Sequence, residues 1–411
     1  MTSTTLVIFV LVYAGMILGG LPYLQLDRTG VALLGAIALV ATGAVPEKAA
    51  AGAVDLATIL LLFSFMVVSA QMRLGGFYGH VTRWLAGLAL APPALLGALV
   101  AVVAVLSAVF SNDVVCLAMA PLLADACARR GLDPRPFLLG LACAANVGSA
   151  ATLIGNPQNI LIGQALSLPF SGYLAAATPP VLVGLLLTWA ILAGLHRGRW
   201  EAPPAPGPAA APPADEPPLD LWQTGKGLAV TAVLLVLFLA APWPRELTAL
   251  GAAGLLLTSR RMHSRQVLGL VDWELLVLFV GLFVVNHALQ ATGLPARAVE
   301  ALAARGVDLS RPAPLFGATF LLSNVVSNVP AVMLLLPVAT HPVAGTLLAL
   351  VSTLAGNLLV VGSIANIIVV DAAARRGIRI DWRTHARVGL PVTAATLAVA
   401  ALFLAWRAGG S

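Results

Sequence analysis

The chain has 411 residues, 10% of them charged and 60% apolar, with a mean hydropathy of +0.96. Water-soluble domains carry about a quarter charged residues, so these figures exclude one and define a polytopic membrane protein. A net charge of +6, a pI near 9.8 and 6% aromatic residues do not describe a nucleic-acid binder: the basic excess of so apolar a chain belongs to membrane-protein loops, and aromatics are too few to stack bases.

Taken in chain order, the apolar run from Leu6 to Leu21 has no positive flank before it and no small-residue cleavage site after it, which reads as a first span rather than a removed signal peptide. Segments of spanning length are expected near 6–22, 30–45, 56–72, 136–167 and 174–196, and then near 226–241, 246–259, 272–290, 343–374 and 386–406. Between the two sets, APPAPGPAAAPPADEPPLD cannot pack and is expected to be a flexible linker. The expected organisation is an N-terminal repeat over 1–197, a Pro/Ala-rich cytoplasmic linker over 198–222 and a C-terminal repeat over 223–411.

The halves match residue by residue. VDLATILLLFSFMVV from Val54 aligns with VDWELLVLFVGLFVV from Val271 at an offset of 217, and SNDVVCLAMAP from Ser111 with SNVPAVMLLLP from Ser327 at 216. GNPQNILI from Gly155 aligns with GSIANIIV from Gly362 at 207. If the segments 92–127 and 312–340 are re-entrant hairpins, each half has five spans, an odd number, and the two are inverted in the membrane. The segments 77–90 and 294–304, of mixed polarity, read as amphipathic helices at the interface before each hairpin. With both termini outside and the linker cytoplasmic, 17 of the 23 basic residues fall on the cytoplasmic side and 6 on the outer side, the bias of the positive-inside rule.

Polar residues inside apolar runs mark irregular backbone, which is tolerated at membrane depth only where protein or a water-filled cavity satisfies it. Four such places occur: Ser111-Asn112-Asp113 and Ser327-Asn328 at the hairpin tips, and Gly155-Asn156-Pro157-Gln158-Asn159 and Gly362-Ser363-Ile364-Ala365-Asn366 inside 136–167 and 343–374. Ser and Asn are N-cap residues and Pro suits a first turn, so each reads as a helix restarting in mid-membrane. Such helix starts bind anions, while unwound carbonyls and Asn or Ser oxygens can hold a cation such as Na+.

Asp113 stands out because its counterpart in the second half is Val329 and an ionisable group at a mid-membrane tip is expensive. It is the candidate coupling acid; the alternative is an acid stabilising the first turn of a helix. The remaining acids are assigned structural roles: Asp125 with Arg129 and Asp371 with Arg375 as i, i+4 pairs, and Asp55 and Asp272 at helix starts. His287 is expected to be a satisfied interior histidine, and Cys116, Cys127 and Cys143 to be buried packing residues with no disulfide or zinc spacing. Cys116, one turn beyond Asp113, could also meet a thiophilic oxyanion. No hydrolase, zincin or P-loop motif is present, so an enzyme or ATP-driven pump has no candidate site.

The tips FSNDVVCLAMAP and VSNVPAVML, with LIGNPQNILIG and VVGSIANIIV, resemble the ion transporter superfamily of divalent-anion/sodium symporters, citrate transporters, arsenite permeases and NhaD-type sodium/proton antiporters. The resemblance covers nearly the whole chain. It implies an all-α, inverted-repeat fold with a scaffold part and a moving transport part, an elevator mechanism and a homodimer; the expected location is the plasma (inner) membrane. The implied ion and substrate site is Ser111, Asn112, Asp113, Gly155, Asn156, Asn159, Ser327, Asn328, Gly362, Ser363 and Asn366. The dicarboxylate branch has Ser-Asn-Thr at its tips, whereas this chain has Ser-Asn-Asp and Ser-Asn-Val, closer to the arsenite permease and antiporter side. The expectation is therefore a secondary active transporter, with no resident cofactor, that moves a small anion or metalloid oxyanion with H+ or Na+. A sodium/proton antiporter, an anion channel built on the same half-helices and a non-transporting receptor are the alternatives.

Overall fold

The computed structural model describes residues 2–20, 24–201 and 217–409. Among them the chain is all helix apart from two isolated bridges, Gly20 with Asp27 and Leu132 with Glu201. The first half contributes α1 (Thr2–Leu18), α2 (Arg28–Ala41), α3 (Glu47–Ala53), α4 (Leu56–Leu74), α5 (Phe77–Gly87), α6 (Pro92–Val109), α7 (Asn112–Arg129), α8 (Pro134–Ser149), α9 (Pro157–Ala165) and α10 (Phe170–Leu195). The second contributes α11 (Leu221–Ala240), α12 (Arg245–Leu257), α13 (Ser264–Leu268), α14 (Trp273–Ala291), α15 (Leu294–Ala303), α16 (Pro312–Val326), α17 (Asn328–Leu335), α18 (Ala344–Ala355), α19 (Ile364–Ala374) and α20 (Trp382–Gly409). The starts follow local chemistry. Proline opens α6, α8, α9 and α16, where its missing N–H costs nothing, and Asp55, Asp220 and Asp272 cap α4, α11 and α14 through their carboxylates.

Among the described residues, six helices are long and apolar enough to cross a bilayer: α4, α6, α10, α11, α14 and α20. Four expected spans are altered by this geometry. The segment 246–259 is the 13-residue α12, about 20 Å long against a hydrocarbon core of roughly 30 Å. The second span ends at Ala41 rather than residue 45, and the segments 136–167 and 343–374 each divide into two helices. The end of the expected first span and residues 202–216 of the linker lie outside the described residues.

The ten helices of each half come in the same order, and their packing exchanges in the same way. α4 lies against α12 as α14 lies against α2; α6 packs on α8 as α16 packs on α18; α7 packs on α19 as α17 packs on α9; and α10 packs on α20. Close approach has a sequence basis at Gly281 of α14, where a Cβ would sit 2.8 Å from the Ala32 carbonyl carbon of α2.

Two assignments made from sequence change here. Asp125 has a different partner from the expected Arg129: its oxygens accept from Nε and Nη2 of Arg376 at 2.7 and 3.2 Å, binding the end of α7 to the loop after α19. Asp371 does pair with Arg375, at 2.8 Å. His287 is exposed rather than interior, and the buried polar residue of that turn is Asn286, which accepts from Tyr13 Oη at 3.0 Å. Because the Asp125 and Arg376 side chains are 19% and 14% exposed, Asp125→Asn is expected to strand a largely buried guanidinium. The expected loss is about 2 kcal/mol, measurable by thermal unfolding in detergent, with Asp371→Asn, at an exposed pair, costing less than about 1 kcal/mol.

Candidate functional site

The four sequence breaks are four helix restarts. α7 begins at Asn112, α9 at Pro157, α17 at Asn328 and α19 at Ile364, and the first residues of all four line one cleft. Its walls are Asn112, Asp113, Pro157, Gln158, Ser327, Asn328, Val329, Ser363 and Ile364, closed on one side by Leu275 from the first turn of α14. Four positive helix ends thus face a common point, the arrangement that favours an anionic guest. No lysine, arginine or histidine is among the lining residues, and Asp113 is the lone charge. The free volume is about 30 Å³, room for roughly one water-sized guest.

The structure divides the candidate residues in two. Asn112, Asp113, Ser327, Asn328 and Ser363 line the cleft, while Ser111, Gly155, Asn156, Asn159, Gly362 and Asn366 stand behind it and knit the breaks. Asn156 caps α9 by accepting from Asn159 N at 3.0 Å, and its amide donates to Ser149 Oγ and Thr353 Oγ1 at 3.0 and 3.2 Å. Asn159 Nδ2 holds the carbonyls of Ser149 and Thr152 at 3.5 and 2.9 Å. Asn366 Nδ2 holds those of Gly356 and Leu359 at 2.8 and 3.1 Å. Donor and both acceptors differ between the two breaks by the same 207 positions, so one device is built twice. The Gly155 carbonyl accepts from Asn112 N at 3.1 Å, docking the first tip onto the first break, and a Cβ at Gly155 would collide with the Ser149 and Ser107 carbonyls.

Side-chain capping, expected at all four restarts, is found only at Asn156; Ser111, Ser327 and Ser363 make no such bond. Ser327 lines the cleft, and the Ser363 hydroxyl is committed elsewhere. Ser363 Oγ donates to Asn146 Oδ1 at 2.8 Å. Asp113 has no hydrogen-bond or ion-pair partner among the described residues, and Asn112 Oδ1, Asn324 Oδ1 and Asn328 Oδ1 are buried without a protein donor. These amide oxygens are of the hard-oxygen type that coordinates an alkali cation.

The second tip is strained where the first is not. Ser327 has φ 78° and ψ 161°, a region that glycine alone occupies freely, whereas Ser111 has φ −55°. Ser327→Gly is expected to raise stability by about 1–3 kcal/mol in detergent unfolding while slowing any flux that uses the hydroxyl or the fixed tip. An unchanged or lower midpoint would show the backbone there to be relaxed.

Asn146 was not identified from sequence. It lies in α8, 2% exposed, and uses its full bonding capacity. Oδ1 accepts from Asn112 Nδ2 at 3.2 Å and from Ser363 Oγ, while Nδ2 donates to Asn357 Oδ1 and Asn366 Oδ1 at 2.8 and 3.1 Å. One side chain therefore ties the first tip to the second break. Asn357, Thr353 and Asn324 were missed as well: Asn357 is a single polar residue in an apolar run, while Thr353 follows Ser352 and Asn324 follows Ser323, and only their positions beside the restarts give them meaning.

Apolar helices surrounding a polar cleft made of interrupted helix ends define a multi-pass membrane transporter. Comparison with known proteins makes the class specific: residues 8–355 match the family model described as citrate transporter, and the chain belongs to that family. It is 30% identical to the silicon efflux transporter LSI3 of Oryza sativa subsp. japonica over 92% of each chain. It is also 31% identical to the inner membrane protein YbiR of Escherichia coli, over 81% of this chain and 83% of that one. The 46 kDa membrane protein of Mycobacterium leprae is 30% identical over 85% and 86%. Among solved structures, the YdaH transporter of Alcanivorax borkumensis superposes with a TM-score of 0.60 at 15% identity, over 100% of this chain and 98% of that one, so the fold is shared.

Proposed function

We propose that the protein is a secondary active transporter that binds a small anion or oxyacid at the cleft and couples its movement to H+ or Na+ by alternating access. The observation that carries this is the convergence of four helix N-termini, with one unpaired carboxylate, on a single cleft. The helix ends supply the anion site, Asp113 serves as the coupling acid, and the free amide oxygens of Asn112 and Asn328 are available to a cation. Exchange of packing partners between the halves supports an inverted repeat. The hydrogen bonds from Arg130 to the carbonyls of Ala86, Leu88 and Leu90, each at 3.1 Å, bring the far end of α7 back to the start of α6 and support a hairpin that leaves on the side it entered. The basic-residue bias supports an orientation with both termini outside, in what we take to be the inner membrane.

The small free volume supports a cycle in which the tips must separate. A tricarboxylate cannot fit into about 30 Å³, so loading requires the hairpins to move relative to α14, or else the cargo is smaller. The same size and the lone acid favour a second reading, a sodium/proton antiporter. One reconstituted preparation decides between them: citrate, smaller dicarboxylates, sulfate, arsenite and silicic acid are offered under imposed pH or Na+ gradients. Saturable, gradient-driven anion or oxyacid flux supports the symport or exchange reading. Na+/H+ exchange without any of these cargoes supports the antiporter, and linear, gradient-indifferent flux would leave only the channel.

A further inference from the structure

A second polar cavity lies far from the cleft, where α8 and α20 begin and α10 ends. It has a volume of about 560 Å³ and is lined by Arg135, His196, Arg199, Thr384 and Arg387, with Asp133 as its one lining acid. α8 is 16 residues long, so its start is about 24 Å from the break at its other end, and the two sites share no lining residue.

Of the charges that line this cavity, Asp133 and Arg135 pair loosely and the other guanidinium groups are not spent on a lining acid. Asp133 caps α8 through Arg135 N at 3.0 Å and lies 3.9 Å from the Arg135 guanidinium. The guanidinium groups of Arg199 and Arg387 have no hydrogen-bond or ion-pair partner among the described residues. Asp381, just before α20, accepts from Thr384 N at 2.7 Å and from its hydroxyl, which with the nearby charges of Arg383 and Arg387 hold its carboxyl below the usual carboxylate range, and it caps α20 without bonding Arg387. Glu201 is exposed just beyond Trp200. His196 is fixed by its ring nitrogen on Leu192 O at 2.9 Å and by packing on Trp200. The start of α20 adds the N–H groups of Trp382 and Arg383 and a positive dipole end to three guanidinium groups, while α8 adds its dipole end alone, since Pro134 and Pro136 have no N–H and Arg135 N is held by Asp133. This is the donor set of a phosphate site.

We infer that this cavity holds the phosphate of an anionic phospholipid. The walls choose the lipid over a free phosphate compound. Leu195 and Val388 line the same cavity, and Leu195 and Leu390, 47% and 58% exposed, continue it onto the outer faces of α10 and α20, where acyl chains would lie. Trp382, 68% exposed with Arg383 stacked 5.2 Å over its ring, marks the interfacial depth at which a head group sits. The inference does not depend on what the cleft carries.

The test uses the full-length protein in detergent, with lipid binding read by native mass spectrometry and by the thermal midpoint. Phosphatidylglycerol is expected to bind and raise the midpoint, and phosphatidylcholine is not. The double variant Arg199→Ala/Arg387→Ala, at two exposed positions whose loss leaves the helix packing intact, is expected to weaken phosphatidylglycerol binding by about 10-fold or more. A charge-matched control, Arg83→Ala/Arg297→Ala, is expected to leave it unchanged. Equal affinity in the Arg199/Arg387 variant, an equal loss in the control, or equal binding of phosphatidylcholine overturns the site. Inorganic phosphate stabilising the wild type but not the variant, with phosphatidylglycerol inert, would overturn the lipid assignment and make the ligand a soluble phosphate.

Discussion

Asn146→Leu is expected to be the most damaging single substitution in the chain, lowering stability by about 4 kcal/mol or more and abolishing flux. The reason is the number of partners. Leucine has the branching of asparagine, though more bulk, and leaves Asn112 Nδ2, Ser363 Oγ, Asn357 Oδ1 and Asn366 Oδ1 without their bonds, and each buried group left unpaired costs about 1–3 kcal/mol. Asn146→Asp discriminates further. Asn357 has a free Nδ2 and can turn its amide to donate to a carboxylate, but Asn366 cannot, because its amide nitrogen already holds the Gly356 and Leu359 carbonyls. The aspartate variant should therefore fall between wild type and leucine. Thermal unfolding of the three proteins in one detergent measures the order; a leucine variant within 1 kcal/mol of wild type, on the scale of a single ordinary hydrogen bond, would mean that the network is not the tie between the two halves.

The sequence was most legible where charge is scarce and the pattern occurs twice. Helix restarts at Asn112, Pro157, Asn328 and Ile364 were readable because polar tetrads in apolar runs have few physical solutions, and their pairing across the halves removed most of the remaining freedom. What the individual side chains do at those restarts was not readable. Asn112 and Asn156 are the same residue type after a small residue, yet one is the first residue of its helix and faces the cleft while the other is the N-cap and knits a break, because that depends on where each helix restarts and how it turns relative to the other three. The same holds for Ser111 and Ser327, identical in motif and opposite in sign of φ. Asn146 was illegible for the converse reason: its importance comes entirely from neighbours more than 30 positions away, at 112, 357, 363 and 366. The Asp125 partner was missed because the i, i+4 rule assigns a local cation, while Arg376 reaches the same carboxylate from another helix end with two bonds instead of one.

Asp113→Asn separates the two roles open to the acid, since they predict opposite signs for stability. If Asp113 only complements the start of α7, neutralising it removes a helix-dipole interaction and costs about 0.3–1 kcal/mol. If it is a carboxylate held without a partner for coupling, neutralising it removes a desolvation penalty that runs to several kcal/mol for a buried unpaired charge and is only partly offset by the dipole. The half-buried position and the absence of a hydrogen-bond or ion-pair partner among the described residues favour the second, so Asp113→Asn is expected to be more stable than wild type by about 1 kcal/mol or more. Its flux in proteoliposomes should lose the response to an imposed pH or Na+ gradient, while Asp113→Glu keeps the response at a reduced rate. Asn at this position also restores the bonding capacity of an amide beside Asn112 and Asn328, so binding of cargo at equilibrium should survive even where coupling does not. A variant that is less stable and still gradient-driven would assign Asp113 to the helix and return the search for the coupling group to the amide oxygens.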